Sequence, residues 1–211
     1  MGRGQKVITI TLWSVLVAAM VGVVVGKLLI PRPSNAPEVL YPGAEFTLTD
    51  QDNKSLSSKD LRGRPYIAAF IFTTCGDVCP RMTGRMVELQ PKLPAAVQLV
   101  SFSVNPEHDT PAVLKQYAKD WKADESRWHF LTGPSDRIYD AAAGMKIAAK
   151  PAEGTNPIIH SERLILVDGD GNVRGTYLST DDEAMKKLLA DAQAVAREAK
   201  GSKAALPGGA R

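Results

Sequence analysis

YIAAFIFTTCGDVCP, residues 66–80, is the stretch that decides the fold. Its first seven residues are almost wholly apolar, which suits a strand covered on both faces rather than one alternating between core and water. Two threonines end the run. Cys75 and Cys79 then stand at the carboxyl end of that strand, the edge where α/β sheets gather ligands. PRMTGRMVELQPKL continues from Pro80 as a helix, with the proline in the first turn, where its missing N–H is no loss. Backbone N–H groups at such a helix start favour thiolate over thiol. At least one cysteine is therefore expected to titrate below the ordinary value of about 8.5.

Outward from this stretch the periodicity changes repeatedly. FTLTD at 46–50 alternates and ends at a DNK turn, a hairpin or edge strand. SSKDLRG at 57–63, with serine caps and a closing glycine, predicts one helical turn. VQLVSFSV at 97–104 is a second central strand, and Thr110 with Pro111 opens a helix through Trp121. WHFLTG at 128–133 predicts a short strand, and PSDRIYDAAAG at 134–144 a helix closed by its glycine. RLILVDGDGNVRGTYL at 163–178 is two strand-like runs across a DGDGN turn. That turn lacks the ligand spacing and terminal glutamate of a calcium loop. DDEAMKKLLADAQAVAREAK places acids first and bases late, as the helix dipole prefers. Strand–helix–strand–helix–strand–helix followed by hairpin and helix is an α/β order. With a cysteine pair directly after the first buried strand, the expected fold is thioredoxin-like, a small mixed sheet flanked by helices.

A chain of 211 residues has room for one such domain and its appendages. VITITLWSVLVAAMVGVVVG, residues 7–26, carries no charge and as a helix spans about 30 Å, enough for a bilayer core. No small-x-small cleavage site follows before Lys27, so an uncleaved transmembrane anchor over residues 1–30 is expected rather than a removed signal peptide. Residues 31–44, with four prolines, form a semi-rigid spacer. The domain spans 45–198 and a disordered tail 199–211. The net charge of +3 lies in the head: residues 1–31 hold three bases and no acids, leaving 23 bases against 23 acids. A neutral domain asks for no nucleic acid. Only six residues precede the span, too few for an organelle-targeting peptide. The expected location is the bacterial inner membrane, single-pass, with the domain facing the periplasm.

The cysteines are spaced CxxxC, one residue longer than the usual dithiol-exchange motif. The extra residue enlarges a disulfide ring and lets two sulfurs spread around a metal ion. Three readings stand: a structural disulfide, which restrains little of the unfolded chain because its loop is short; thiol–disulfide exchange, with Cys75 as nucleophile and Cys79 as resolving thiol; and a metal pair. Of three histidines, His108 in the polar loop NPEHDTP is expected to face solvent, and His129, between Trp128 and Phe130, to be packed. His160 stands where the flexible KPAEGTNP segment meets the strand RLILV, so its imidazole can be carried to a site. Two thiolates and an imidazole suit Cu(I), and an added water or carboxylate would serve Cu(II). The missing fourth protein ligand argues against structural zinc, and neither sulfur nor imidazole fits calcium or magnesium.

CGDVCP at 75–80, SVNPEHDTP at 103–111, IIHS at 158–161 and the strand–DGDG–strand element after them carry, in this order and spacing, a resemblance to the Sco/SenC family of membrane-anchored copper-binding proteins. The resemblance covers the anchor and nearly all of residues 40–195. It implies delivery of copper to the dinuclear copper centre of cytochrome c oxidase subunit II, or to another copper-accepting membrane protein. The alternative it implies is reduction of that subunit's cysteines by a tethered thiol–disulfide oxidoreductase. A periplasmic copper donor or thiol reductant would stand upstream. Cys75, Cys79 and His160 correspond to the family's copper ligands, with Asp77 and Asp109 in supporting positions. Gly76 and Asn105 depart from a pattern in which many members carry proline and aspartate.

Overall fold

A computed structural model describes residues 12–22, 35–149 and 161–205. The chain divides into two units, one ending at Ser34 and one beginning at Asn35. In the first, residues 12–22 form helix α1, exposed along its length. Among the described residues no helix is long and apolar enough to cross a membrane; the rest of the expected anchor lies outside them.

In the second unit, the strands are β1 (Tyr41–Pro42), β2 (Thr47–Asp50), β3 (Ser55–Ser57), β4 (Tyr66–Ile71), β5 (Gln98–Ser103), β6 (Trp128–Thr132), β7 (Arg163–Val167) and β8 (Asn172–Leu178). They form one mixed sheet in the order β1-β8-β7-β4-β5-β6-β2-β3. The helices are α2 (Val78–Leu89), α3 (Pro111–Asp120), α4 (Ser135–Gly144) and α5 (Asp182–Ala205). β4, β5 and β6 run parallel, joined through α2 and α3, while β7 lies antiparallel on the other side of β4 with Tyr66 opposite Val167. The expected order of elements is present, in a sheet widened at both edges by β1 and by the β2–β3 hairpin.

β4 explains its own apolar run. Ile67, Ala69 and Ile71 pack with Met82 and Met86 of α2, Leu114 of α3 and Leu188 and Val195 of α5. Tyr66, Ala68 and Phe70 point the other way, toward Ile138 and Ala141 of α4. Phe70 stacks on Phe102 at 4.9 Å, and Phe46 meets Phe102 edge-on at 5.0 Å. A strand with helices on both faces has no solvent side for polar residues.

Four local readings need correction. Of residues 57–63, read as a helical turn, Ser57 ends β3 and 58–63 form turns. The Asp60 carboxylate accepts from both the amide and the hydroxyl of Ser57 at 2.8 and 2.6 Å, satisfying locally the donors a helix would have used. Gly144 lies within the last turn of α4, and the left-handed residue is Lys146, with φ 56°. Glycine stands at 144 because a Cβ there would come within 2.9 Å of the Ala44 Cβ. The segment read as spacer joins the sheet: Tyr41 pairs with Val173, and the Arg174 guanidinium donates to the Pro37 carbonyl at 2.6 Å. At the other end, α5 continues through residues 199–205, which were read as tail.

Candidate metal centre

At Ile71 the chain leaves the sheet and turns through residues 72–77 into α2. The Phe72 amide donates to the Cys79 sulfur at 3.4 Å. The Cys79 amide, in the first turn of α2, donates to the Cys75 sulfur, also at 3.4 Å. The Cys75 amide returns to the Phe72 carbonyl at 3.3 Å. The loop thus wraps its own backbone donors around two sulfurs, both held as thiols.

Their environments differ. Cys79 is fully buried in the core that holds Met82 and Met86. Burial pushes its thiol well above the ordinary range, and the nearby Cys75 and Asp109 push the same way against the Phe72 amide. Cys75 is half-buried. Burial also opposes its ionisation, but the backbone N–H groups of Asp77, Cys79 and Val78 and the Cys79 side chain together outweigh it, so its thiol lies below its ordinary value. This is the helix-start effect expected from the sequence, confined to the outer cysteine.

Asp77 is placed at the start of α2 without capping it through its side chain. Its carboxylate is exposed and pairs with Arg81 at 3.3 Å, so Asp77 acts on Cys75 through its backbone N–H. Asp109 is fully buried. Its Oδ2 accepts from the Thr73 amide at 3.0 Å and the Ser103 hydroxyl at 2.6 Å. Its Oδ1 accepts from the Thr73 hydroxyl at 2.5 Å and faces His108 Nδ1 at 2.9 Å. The end of β5 is thereby pinned to the segment two residues ahead of Cys75.

Thr73 and Ser103 are the residues that sequence reading passed over, while His108, expected to face solvent, is half-exposed with its Nδ1 against Asp109. The available signal was Ser103, a hydroxyl at the end of an otherwise apolar strand, which must find a partner when buried. His129 lies half-buried on β6, where burial lowers its pKa. His160, the expected third ligand, lies outside the described residues. Among the described residues no three His, Cys, Asp or Glu side chains converge to hold a metal ion. The donor chemistry in place is two sulfurs, Cys79 buried in the core that holds Met82 and Met86 and Cys75 half-buried at its edge. That suits a soft ion of low coordination number and not a hard one.

Residues 35–196 match the family model described as SCO1/SenC. The SCO1 protein homolog of Bacillus subtilis is 36% identical over 156 residues, covering 72% of this chain and 81% of that protein. The solved structure of BsSco, described as a member of the Sco family of cytochrome c oxidase assembly proteins with a disulfide switch, superposes with a TM-score of 0.68 at 35% identity. That match covers 76% of this chain and 97% of the other. Bradyrhizobium japonicum ScoI, solved with copper bound, gives 0.59 at 26% identity over 76% of this chain and 98% of its own.

Proposed function

The chain belongs to the SCO1/SenC family, and from that premise we propose that it is a copper metallochaperone serving cytochrome c oxidase assembly. Cys75 and Cys79 hold the cargo, and His160 completes the set. The observation that carries this reading is the pair of unlike sulfurs at the carboxyl edge of β4. Cys79 is anchored in the core, while the half-buried Cys75 ionises more readily. One sulfur holds position and the other is within reach of a partner's ligands. Delivery is then ligand exchange: thiolates of the acceptor, the dinuclear copper site of oxidase subunit II, displace His160 and Cys75 in turn. An anchor through residues 7–26 would restrict the search to partners in the same inner membrane, with the domain in the periplasm, raising effective concentration. Such a set takes Cu(I), or Cu(II) with an added oxygen ligand.

The test is anaerobic Cu(I) competition titration of the reduced full-length chain beside Cys75→Ser, Cys79→Ser and His160→Ala. One tightly bound copper is expected, lost with either cysteine and weakened without His160. Absent or nonspecific binding by a folded, reduced protein would sink the reading.

The same asymmetry favours a second reading, thiol–disulfide exchange. The Cys75 thiolate attacks a partner disulfide, and the displaced partner sulfur leaves as thiolate. Cys79, deprotonated, then attacks Cys75 in the mixed disulfide and releases the second partner thiol. Two thiols here become one disulfide as one partner disulfide becomes two thiols. His160→Ala spares this chemistry and impairs copper binding, so one variant separates the two readings.

A further inference from the structure

We propose that the domain carries a second recognition site, a cleft at the amino ends of β4 and β5 that binds an acidic peptide segment of a partner protein. The cleft encloses about 770 Å³ between Arg64, the segment joining α2 to β5, the loop ahead of β6 and Lys200 of α5. Its size is that of a ligand pocket and not of a lone ion. Tyr66 and Gln98 stand opposite each other at the starts of β4 and β5. From there the six residues of β4 run about 20 Å toward the cysteine loop, so an occupant of the cleft leaves the sulfurs uncovered.

The polar groups of the cleft divide into those already engaged and those left over. The Arg127 guanidinium donates to the carbonyls of Gln90, Leu93 and Pro94 and to the Asp124 carboxylate. Asp124 also accepts from the Ser126 amide and hydroxyl, so this pair fixes the walls. Gln98 lines the cleft and is 4% exposed. Its buried Oε1 has no hydrogen-bond partner, and among the described residues none engages its Nε2. An orphaned buried amide costs stability, so its presence calls for a partner. A peptide group satisfies both atoms at once, giving its N–H to Oε1 and accepting from Nε2 on its carbonyl. Arg64 and Lys200 are exposed and make no ion pair among the described residues. Arg64, Arg127 and Lys200 against Asp124 leave the cleft at +2, whereas residues 32–211 as a whole balance at 23 bases and 23 acids. The two unpaired cations call for carboxylates beside the peptide group. A free dicarboxylate would meet the cations but offers Oε1 no donor.

The probe is a capped, fluorescein-labelled peptide of alternating alanine and glutamate, titrated into the reduced full-length chain in nonionic detergent and followed by anisotropy. It should bind, and the same peptide with lysine for glutamate should not. Arg64→Ala and Lys200→Ala should each weaken binding about three- to fivefold, and Gln98→Met about tenfold. Lys119→Ala, which removes an exposed charge elsewhere, should leave binding unchanged. Methionine keeps the length of Gln98 and removes the orphaned amide, so Gln98→Met should also raise Tm. Succinate should displace the peptide far less well than unlabelled peptide does. No binding by the folded wild type, or an equal loss from Lys119→Ala, overturns the inference. So does full binding by Gln98→Met or by the Arg64→Ala, Lys200→Ala double variant, a lowered Tm for Gln98→Met, or succinate competing as well as the peptide. None of these readouts involves copper, so the outcome is independent of the metallochaperone reading.

Discussion

Truncating Asp109 to alanine tests whether the loop carrying Cys75 is held from β5. The carboxylate serves the Thr73 amide, the Thr73 and Ser103 hydroxyls and the His108 imidazole. The hydroxyls can rotate, and Ser103 already accepts from the Asn105 amide at 3.1 Å. The Thr73 amide cannot rotate; half-buried and left without this partner, it costs toward the lower end of about 1–3 kcal/mol. With the other charged hydrogen bonds lost, Asp109→Ala should destabilise by about 3–4 kcal/mol, within the range for breaking a buried charged network. Asparagine keeps a carbonyl for the Thr73 amide and presents its NH₂ to hydroxyls that can turn to accept, so Asp109→Asn should cost about 1–2 kcal/mol. Urea unfolding of the reduced, metal-free protein, followed by circular dichroism, measures both at an unchanged slope. The neighbouring Phe72 amide holds the Cys79 sulfur, so Asp109→Ala should also open Cys79 to alkylation under native conditions. An alanine variant within about 1 kcal/mol of wild type, with Cys79 still shielded, would refute the reasoning.

Iodoacetamide should label Cys75 first, with an inflection in rate below the ordinary thiol value, because local N–H groups favour its thiolate while Cys79 is buried; peptide mass spectrometry showing Cys79 labelled first would contradict this. Gly144→Ala should destabilise by about 1–3 kcal/mol through overpacking against Ala44, reversing the gain of about 1 kcal/mol expected for that change within an exposed helix; a raised Tm would count against the contact. Burial holds His129 below its ordinary 6.5, so between the folded value and 6.5 the unfolded chain binds more protons and stability rises with pH. That contribution is fully present above the unfolded value and is lost as pH falls through the window. His129→Gln should accordingly flatten the stability profile between about pH 5 and pH 7, and parallel wild-type and variant profiles would argue against it.

The parts of the fold legible in sequence are those set by short-range physics. An unbroken apolar run announced β4 because both faces of that strand are covered. Thr110 and Pro111 announced α3 because the threonine hydroxyl accepts from the Val113 amide and proline tolerates the first turn. DGDGN announced the β7–β8 turn, where Asp168 accepts from the Asp170 and Asn172 amides and Gly171 takes φ 80°. Long-range determinants were invisible. Residue 144 is glycine because of Ala44, one hundred residues earlier. The turn after Ser57 is a local feature read with the wrong outcome: the Asp60 carboxylate takes both Ser57 donors. At the candidate site the cysteine pair and the lowered thiol follow from strand end and helix start. The Asp109 latch joins residues 36 apart, and the chain between them carries no trace of it. His108 looked like a solvent residue for that reason: half of it is one, and the other half is tied to a carboxylate brought in by the fold.

The position of β4 also decides where the loop is compliant. Its six residues are bonded to β5 along their whole length and to β7 over the first half, and none is more than 2% exposed. Cys79 is set in α2, whose inner face is packed on the same core. Work done at the sulfurs, by loading or by oxidation, meets a stiff stem behind and an unencumbered Gly76 in front. With Thr73 held on Asp109, the displacement falls on residues 74–77 around Cys75. Under the proposed copper role, a partner docking there would meet a contour that differs between the empty, loaded and oxidised protein, and so would sense the state of the cargo before any ligand changes hands.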